Sequence, residues 1–169
     1  MKKNIFIFIF LLNFCAPVMA QYDYQSGNLL INGVTLKVGG TNLSFFVENI
    51  NNVLGNIVIT HPVIDCGEAH FTKRSWGKIK GVFQQVFRPA RRLAFSGKRW
   101  IGIFITANPQ GAILEIAFEF PRGSMVTPQE LYELEIGLKA LTGLEYSFPA
   151  DCTGVNYRAT NNTFYIDEL

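Results

Sequence analysis

Between His61 and His70 the chain reads His-Pro-Val-Ile-Asp-Cys-Gly-Glu-Ala-His, which puts two imidazoles, a thiol and two carboxylates within ten residues. Two chemistries use such groups. His61, Cys66 and His70, with Asp65, could hold a metal ion for a small secreted hydrolase, provided three or four of them converge at bonding distance. Cys66 could instead act as a nucleophile with His70 as its base, although no third group to orient the imidazole is evident. The spacing matches neither paired Cys-x-x-Cys nor His-Glu-x-x-His. The simpler reading is a polar loop. No Gly-x-Ser-x-Gly elbow, phosphate-binding glycine loop or dinucleotide fingerprint occurs, so no cofactor is expected. Glu115 and Glu119 fall on one side of a strand pattern, roughly 13–14 Å apart at the usual rise. That exceeds the roughly 5–9.5 Å of a glycosidase carboxylate pair. Trp76, Trp100, Tyr146, Tyr157 and Tyr165 could line a sugar- or peptide-binding face or fill a core, and strand spacing favours the core.

The elements that would position these groups follow an export signal. Lys2 and Lys3 precede an apolar run from Ile5 to Leu12, and Val18 and Ala20 are small where a signal peptidase reads. Residues 1–20 are therefore expected to be removed. Phe14 and Asn13 fit lipid attachment at Cys15 poorly, and Asn13 and Pro17 interrupt an uncleaved anchor. No later run is long and apolar enough to span a bilayer. The expected location is the periplasm, the outer envelope or the exterior. Two cysteines then remain, Cys66 and Cys152. An oxidising compartment permits a disulfide between them, and two buried thiols fit equally well.

Without Lys2 and Lys3 the formal charge is zero, with 13 basic and 13 acidic residues. The balance is uneven along the chain. Lys73 to Arg99 holds nine basic residues and no acid, whereas Trp100 onward holds nine acids and three bases. The basic block is expected to complement the acidic half and solvate a surface. No nucleic-acid partner is expected, because neither a binding motif nor interleaved aromatics accompany the charges.

Asn28 to Ile31, Asn32-Gly33 and Val34 to Val38 form a hairpin signal with the pair that a type I′ turn prefers. Leu43 to Val47 and Asn56 to Thr60 are further strand candidates. Residues 21–72 are thus expected to be a β-rich lobe. From Lys78 the period becomes helical, with Ile79, Val82, Phe83, Val86 and Phe87 on one face, and Pro89 ends or kinks that helix. Trp100 to Thr106 and Ala112 to Phe120 alternate as two strands around Asn108-Pro-Gln-Gly111, another hairpin. Thr127-Pro-Gln-Glu130 is a capping box, after which Leu131, Leu134, Leu138 and Leu141 repeat at helical spacing. Glu130, Glu133 and Glu135 suit the positive end of that helix. Tyr146 to Ala150 and Thr163 to Ile166 carry strand signals.

In that order, Gln84 to Leu169 resembles the TonB carboxy-terminal domain family. The residues that carry the likeness are Phe87-Arg-Pro-Ala90, Gly97, the strand Ile101–Thr106, Gly111, the strand Leu114–Phe120, Phe148-Pro-Ala150, Gly154-Val-Asn-Tyr157 and Thr163–Ile166. Arg88-Pro89 stands where the family usually has tyrosine-proline, and the proline-rich linker of a full TonB is missing. The resemblance implies a domain that binds an extended peptide by adding it as a strand to a sheet edge, here Thr163, Phe164, Tyr165 and Ile166, with Phe87 and Pro89 nearby.

The sequence therefore predicts an α+β fold with an antiparallel sheet packed by one or two helices, TonB-like over 73–169. The expected role is a non-enzymatic module that binds an envelope protein or peptide. The oligomeric state is not legible.

Overall fold

The computed structural model describes residues 22–53, 70–95, 100–147 and 158–169. Three strands open it: β1 (Gly27–Ile31), β2 (Val34–Gly40) and β3 (Ser44–Asn49). Asn32 and Gly33 turn β1 into β2 with φ of 48° and 82°, the left-handed values a type I′ turn requires. Next come β4 (His70–Phe71), α1 (Lys73–Val86) and α2 (Pro89–Ala94). The hairpin β5 (Trp100–Ala107) and β6 (Ile113–Pro121) follows, then α3 (Pro128–Lys139). The chain closes with β7 (Tyr146–Ser147), β8 (Arg158–Tyr165) and a 3-10 turn over Ile166–Glu168.

Six strands form one antiparallel sheet in the order β1-β2-β3-β6-β5-β8, and β4 pairs with β7 apart from it. The fold is α+β, as expected. The expected boundary at 72/73 is corrected, because β3 pairs with β6 from Ser44↔Pro121 to Glu48↔Ala117. The first three strands therefore extend the later sheet and form no lobe of their own. Tyr146 joins β7, opposite Phe71, and stays out of the main sheet.

Helices α1 and α3 cover one face. Val38, Val47, Phe118, Phe120, Ile101, Ile103 and Ile105 point into that layer from the sheet, and all are buried. Ile79, Val82 and Phe83 of α1 and Leu131, Leu134 and Leu138 of α3 meet them. The helical face begins earlier than Lys78 because the Thr72 hydroxyl accepts from Ser75 N–H and caps α1 there. The helices approach closely at Gly137, where a Cβ would lie 2.7 Å from Val82 Cγ1. Pro89 starts α2, as its fixed φ favours. The capping box of α3 forms with both of its hydrogen bonds.

The basic block works within the fold. Arg91 pairs with Glu130 and donates to the Met125 carbonyl. Lys78 Nζ reaches the carbonyls of Thr142 at 3.0 Å and Gly143 at 2.8 Å. Lys80 and Arg92 hold the carbonyls of Glu168 and Leu169. Glu135, expected to serve the helix dipole, is buried between Asn49 Nδ2 at 2.8 Å and Lys139 Nζ at 2.6 Å.

Candidate functional site

A sheet with helices on one side leaves the alternate side chains on the other. In register, these form rows that run across the strands. One row carries Ser44, Trp100 and Tyr165, and the next Gly39, Phe46, Glu119, Gly102 and Thr163. A third carries Lys37, Glu48, Ala117, Phe104 and Asn161, and a fourth Thr35, Glu115, Thr106 and Ala159. Aromatics therefore gather on this open face. Phe46 and Phe104 pack 5.6 Å apart, yet Phe104 stays 39% exposed and Tyr165 51% exposed.

The carboxylates here accept hydrogen bonds. Ser44 Oγ donates to Glu119 Oε1 at 2.7 Å, and Val53 N–H donates to Glu115. Lys37 Nζ lies 3.6 Å from Glu48. Ala117 separates Glu115 from Glu119, so these two glutamates form no acid/base couple. Between the first and third rows lies a hollow of about 370 Å³, bounded by Trp100, Tyr165, Phe104, Asn161 and Glu119 over Gly102 and Thr163.

Among the described strands β8 is one margin of the sheet, opposite β1, and its hydrogen-bonding phase can be followed from the far side. Ile31 and Val34 flank a two-residue turn and so exchange backbone hydrogen bonds. Such pairs recur at every second residue, and the residues between them bond to the strand on the other side. Ile50 N–H donates to the Thr35 carbonyl at 2.9 Å and Arg122 N–H to that of Leu43 at 3.0 Å, which carries the phase through β3. Continued through the registers of β6 and β5, it turns the backbones of Thr160, Asn162 and Phe164 toward β5. Those of Ala159, Asn161, Thr163 and Tyr165 then face outward. Thr163 N–H agrees, because it donates to its neighbour's side chain, Asn162 Oδ1, at 2.8 Å.

The expected site residues divide accordingly. Thr163 and Tyr165 lie on the outward phase and the open face. Phe164 points into the core, 4.4 Å from the Phe83 ring. Ile166 has left the strand for the 3-10 turn and is fully buried. Phe87 is fully buried between Phe83 and Phe95 and has no surface to offer a ligand. Pro89 lies with Arg92, Leu93 and Asp167 around a separate hollow. Trp76 and Tyr146 pack on Phe71, whereas Trp100 sits over the open face.

His61, Asp65, Cys66, Cys152 and Tyr157 lie outside the described residues, as do the export signal and the strand expected at 56–60. His70 is exposed in β4 and borders a hollow of about 310 Å³ with Phe104, Thr106 and Asn161. Among the described residues no three His, Cys, Asp or Glu side chains gather as a metal site. Nor is any helix among them long and apolar enough to cross a membrane. Sequence reasoning missed Gly102, Phe104, Asn161 and Glu119 as a group. Their signal was the glycine inside an otherwise bulky strand.

No protein-family model matches the sequence, and no curated protein does. Among solved structures, the chain is similar to a DUF5043 family protein from Bacteroides uniformis ATCC 8492, with a TM-score of 0.65 and 15% identity. The match covers 83% of this chain and 85% of that one, and it shows a shared fold.

Proposed function

We propose that the chain is an exported, non-enzymatic module of the cell envelope that binds a peptide or protein segment by strand addition at β8. The carrying observation is the margin itself. Ala159, Asn161, Thr163 and Tyr165 turn their backbones away from the sheet, and no described strand pairs with them. Such a row is a template for an extended chain. The signal-like residues 1–20 support export, and the TonB-like order of 84–169 supports this mode of binding.

Proline at Asn161 tests the reading, because it removes an outward N–H and leaves the β5 ladder whole. Asn28→Pro at the other margin is the control. A partner recovered from envelope extract should lose at least tenfold in affinity for Asn161→Pro and keep its affinity for Asn28→Pro, with the melting temperature reporting an intact fold. Equal binding by a folded Asn161→Pro variant would show that β8 is not the docking edge.

A further inference from the structure

We infer that the strand added at β8 presents a basic residue opposite Thr163, whose side chain lies in the groove that crosses the open face. The inference rests on strand addition and adds the chemistry of the partner. Thr163 faces outward, so a residue paired directly with it displaces Asn162 Oδ1 from the Thr163 N–H, exchanges backbone hydrogen bonds and places its side chain on the same face.

From there the groove runs across the strands. Thr163 and Gly102 form its floor, Tyr165 and Trp100 one wall, and Asn161 and Phe104 the other. Glu119, paired with Gly102, closes the inner end. Gly102 keeps the floor low. A Cβ there would lie 3.5 Å from the Glu119 carbonyl and 3.7 Å from Trp100 Cζ3, filling the space beneath the indole.

Strands lie about 4.8 Å apart, so the added backbone runs about 10 Å from β5. A long, flexible stem covers much of that span and carries its head group between Trp100 and Phe104. An alkyl stem suits the aromatic walls. A cation within about 6 Å of a ring centroid gains from the ring's negative face, and guanidinium also stacks. Charge complementarity points the same way. Glu48, Glu115 and Glu119 are the described acids of this face, and its described base, Lys37, is already beside Glu48.

The test uses a blocked seven-residue peptide of alternating threonine and valine with a central arginine. A second peptide carries citrulline there, which is uncharged and nearly the same shape. Binding is read from tryptophan fluorescence and amide chemical shifts. The parent protein should prefer arginine by about tenfold. Glu119→Gln, which can still accept from Ser44, should bring the ratio near one, and Gly102→Val should weaken the arginine peptide selectively. Equal binding of both peptides overturns the basic residue while strand addition stands. Binding by a folded Asn161→Pro variant as tight as the parent's overturns strand addition itself. Failure of both peptides to bind overturns both. Shifts at Trp100 and Phe104 on adding maltotriose, with none from the arginine peptide, would assign the groove to sugars and overturn the inference.

Discussion

Tyr24 is the residue at which burial and polarity conflict most plainly. Its ring packs 5.2 Å from Phe45 and 5.1 Å from Phe120, and its buried hydroxyl finds no hydrogen-bond partner among the described residues. Burial raises its pKa far above the ordinary tyrosine value, and the charge of Glu130 and then Tyr22 push the same way. An unsatisfied buried hydroxyl costs about 1–3 kcal/mol. Tyr24→Phe is therefore expected to gain about 1 kcal/mol in denaturant unfolding at neutral pH. The pH dependence follows. In the unfolded chain this tyrosine ionises near pH 10, whereas in the folded chain it keeps its proton to higher pH. Folding stability is therefore independent of this group's titration below about pH 10 and declines as pH rises beyond, where the unfolded state binds fewer protons. The phenylalanine variant should lose less stability between pH 9 and 11. Identical losses would show that Tyr24 does not set the alkaline limit.

Among the elements, the β5–β6 hairpin was legible because its determinants are local. Asn108 Oδ1 accepts from Gln110 N–H at 3.1 Å and Ala112 N–H at 2.9 Å, which is what an asparagine in a turn does. The Asn32-Gly33 turn, the Thr127 capping box and the stop at Pro89 were readable for the same reason. Gly111 carries more than its turn. It has φ of 79°, and a Cβ there would lie 1.9 Å from the Leu144 carbonyl oxygen, so this hairpin lies directly against the segment after α3. Gly111→Ala should cost about 2 kcal/mol or more, from left-handed strain and the clash together, and lower the melting temperature by several degrees. An unchanged melting temperature would mean that the segment around Leu144 yields freely. That proximity, like Gly137 against Val82, spans residues far apart in sequence and leaves no local trace.

Across the whole molecule, alternation in β5 announced a strand but did not say which face the helices would take. Both faces of that strand are apolar, Ile101, Ile103 and Ile105 on one and Trp100 and Phe104 on the other. Only the placement of α1 and α3 made the first a core and left the second with no described helix over it. The join of β3 to β6 was hidden for a related reason, since strand pairing over such separations is decided by the assembled sheet. The contact between Asn162 Oδ1 and the Thr163 N–H has a consequence for how molecules meet one another. Two copies could align their β8 margins about a twofold axis and merge their sheets, and this amide occupies a donor that such a seam would need. Asn162→Ala should therefore self-associate at lower concentration than the parent, seen as faster-sedimenting species in the ultracentrifuge. Matching sedimentation profiles would mean that some other group keeps the copies apart. If the profiles differ, one short side chain is the latch that any arriving strand, guest or second copy, has to lift from this margin.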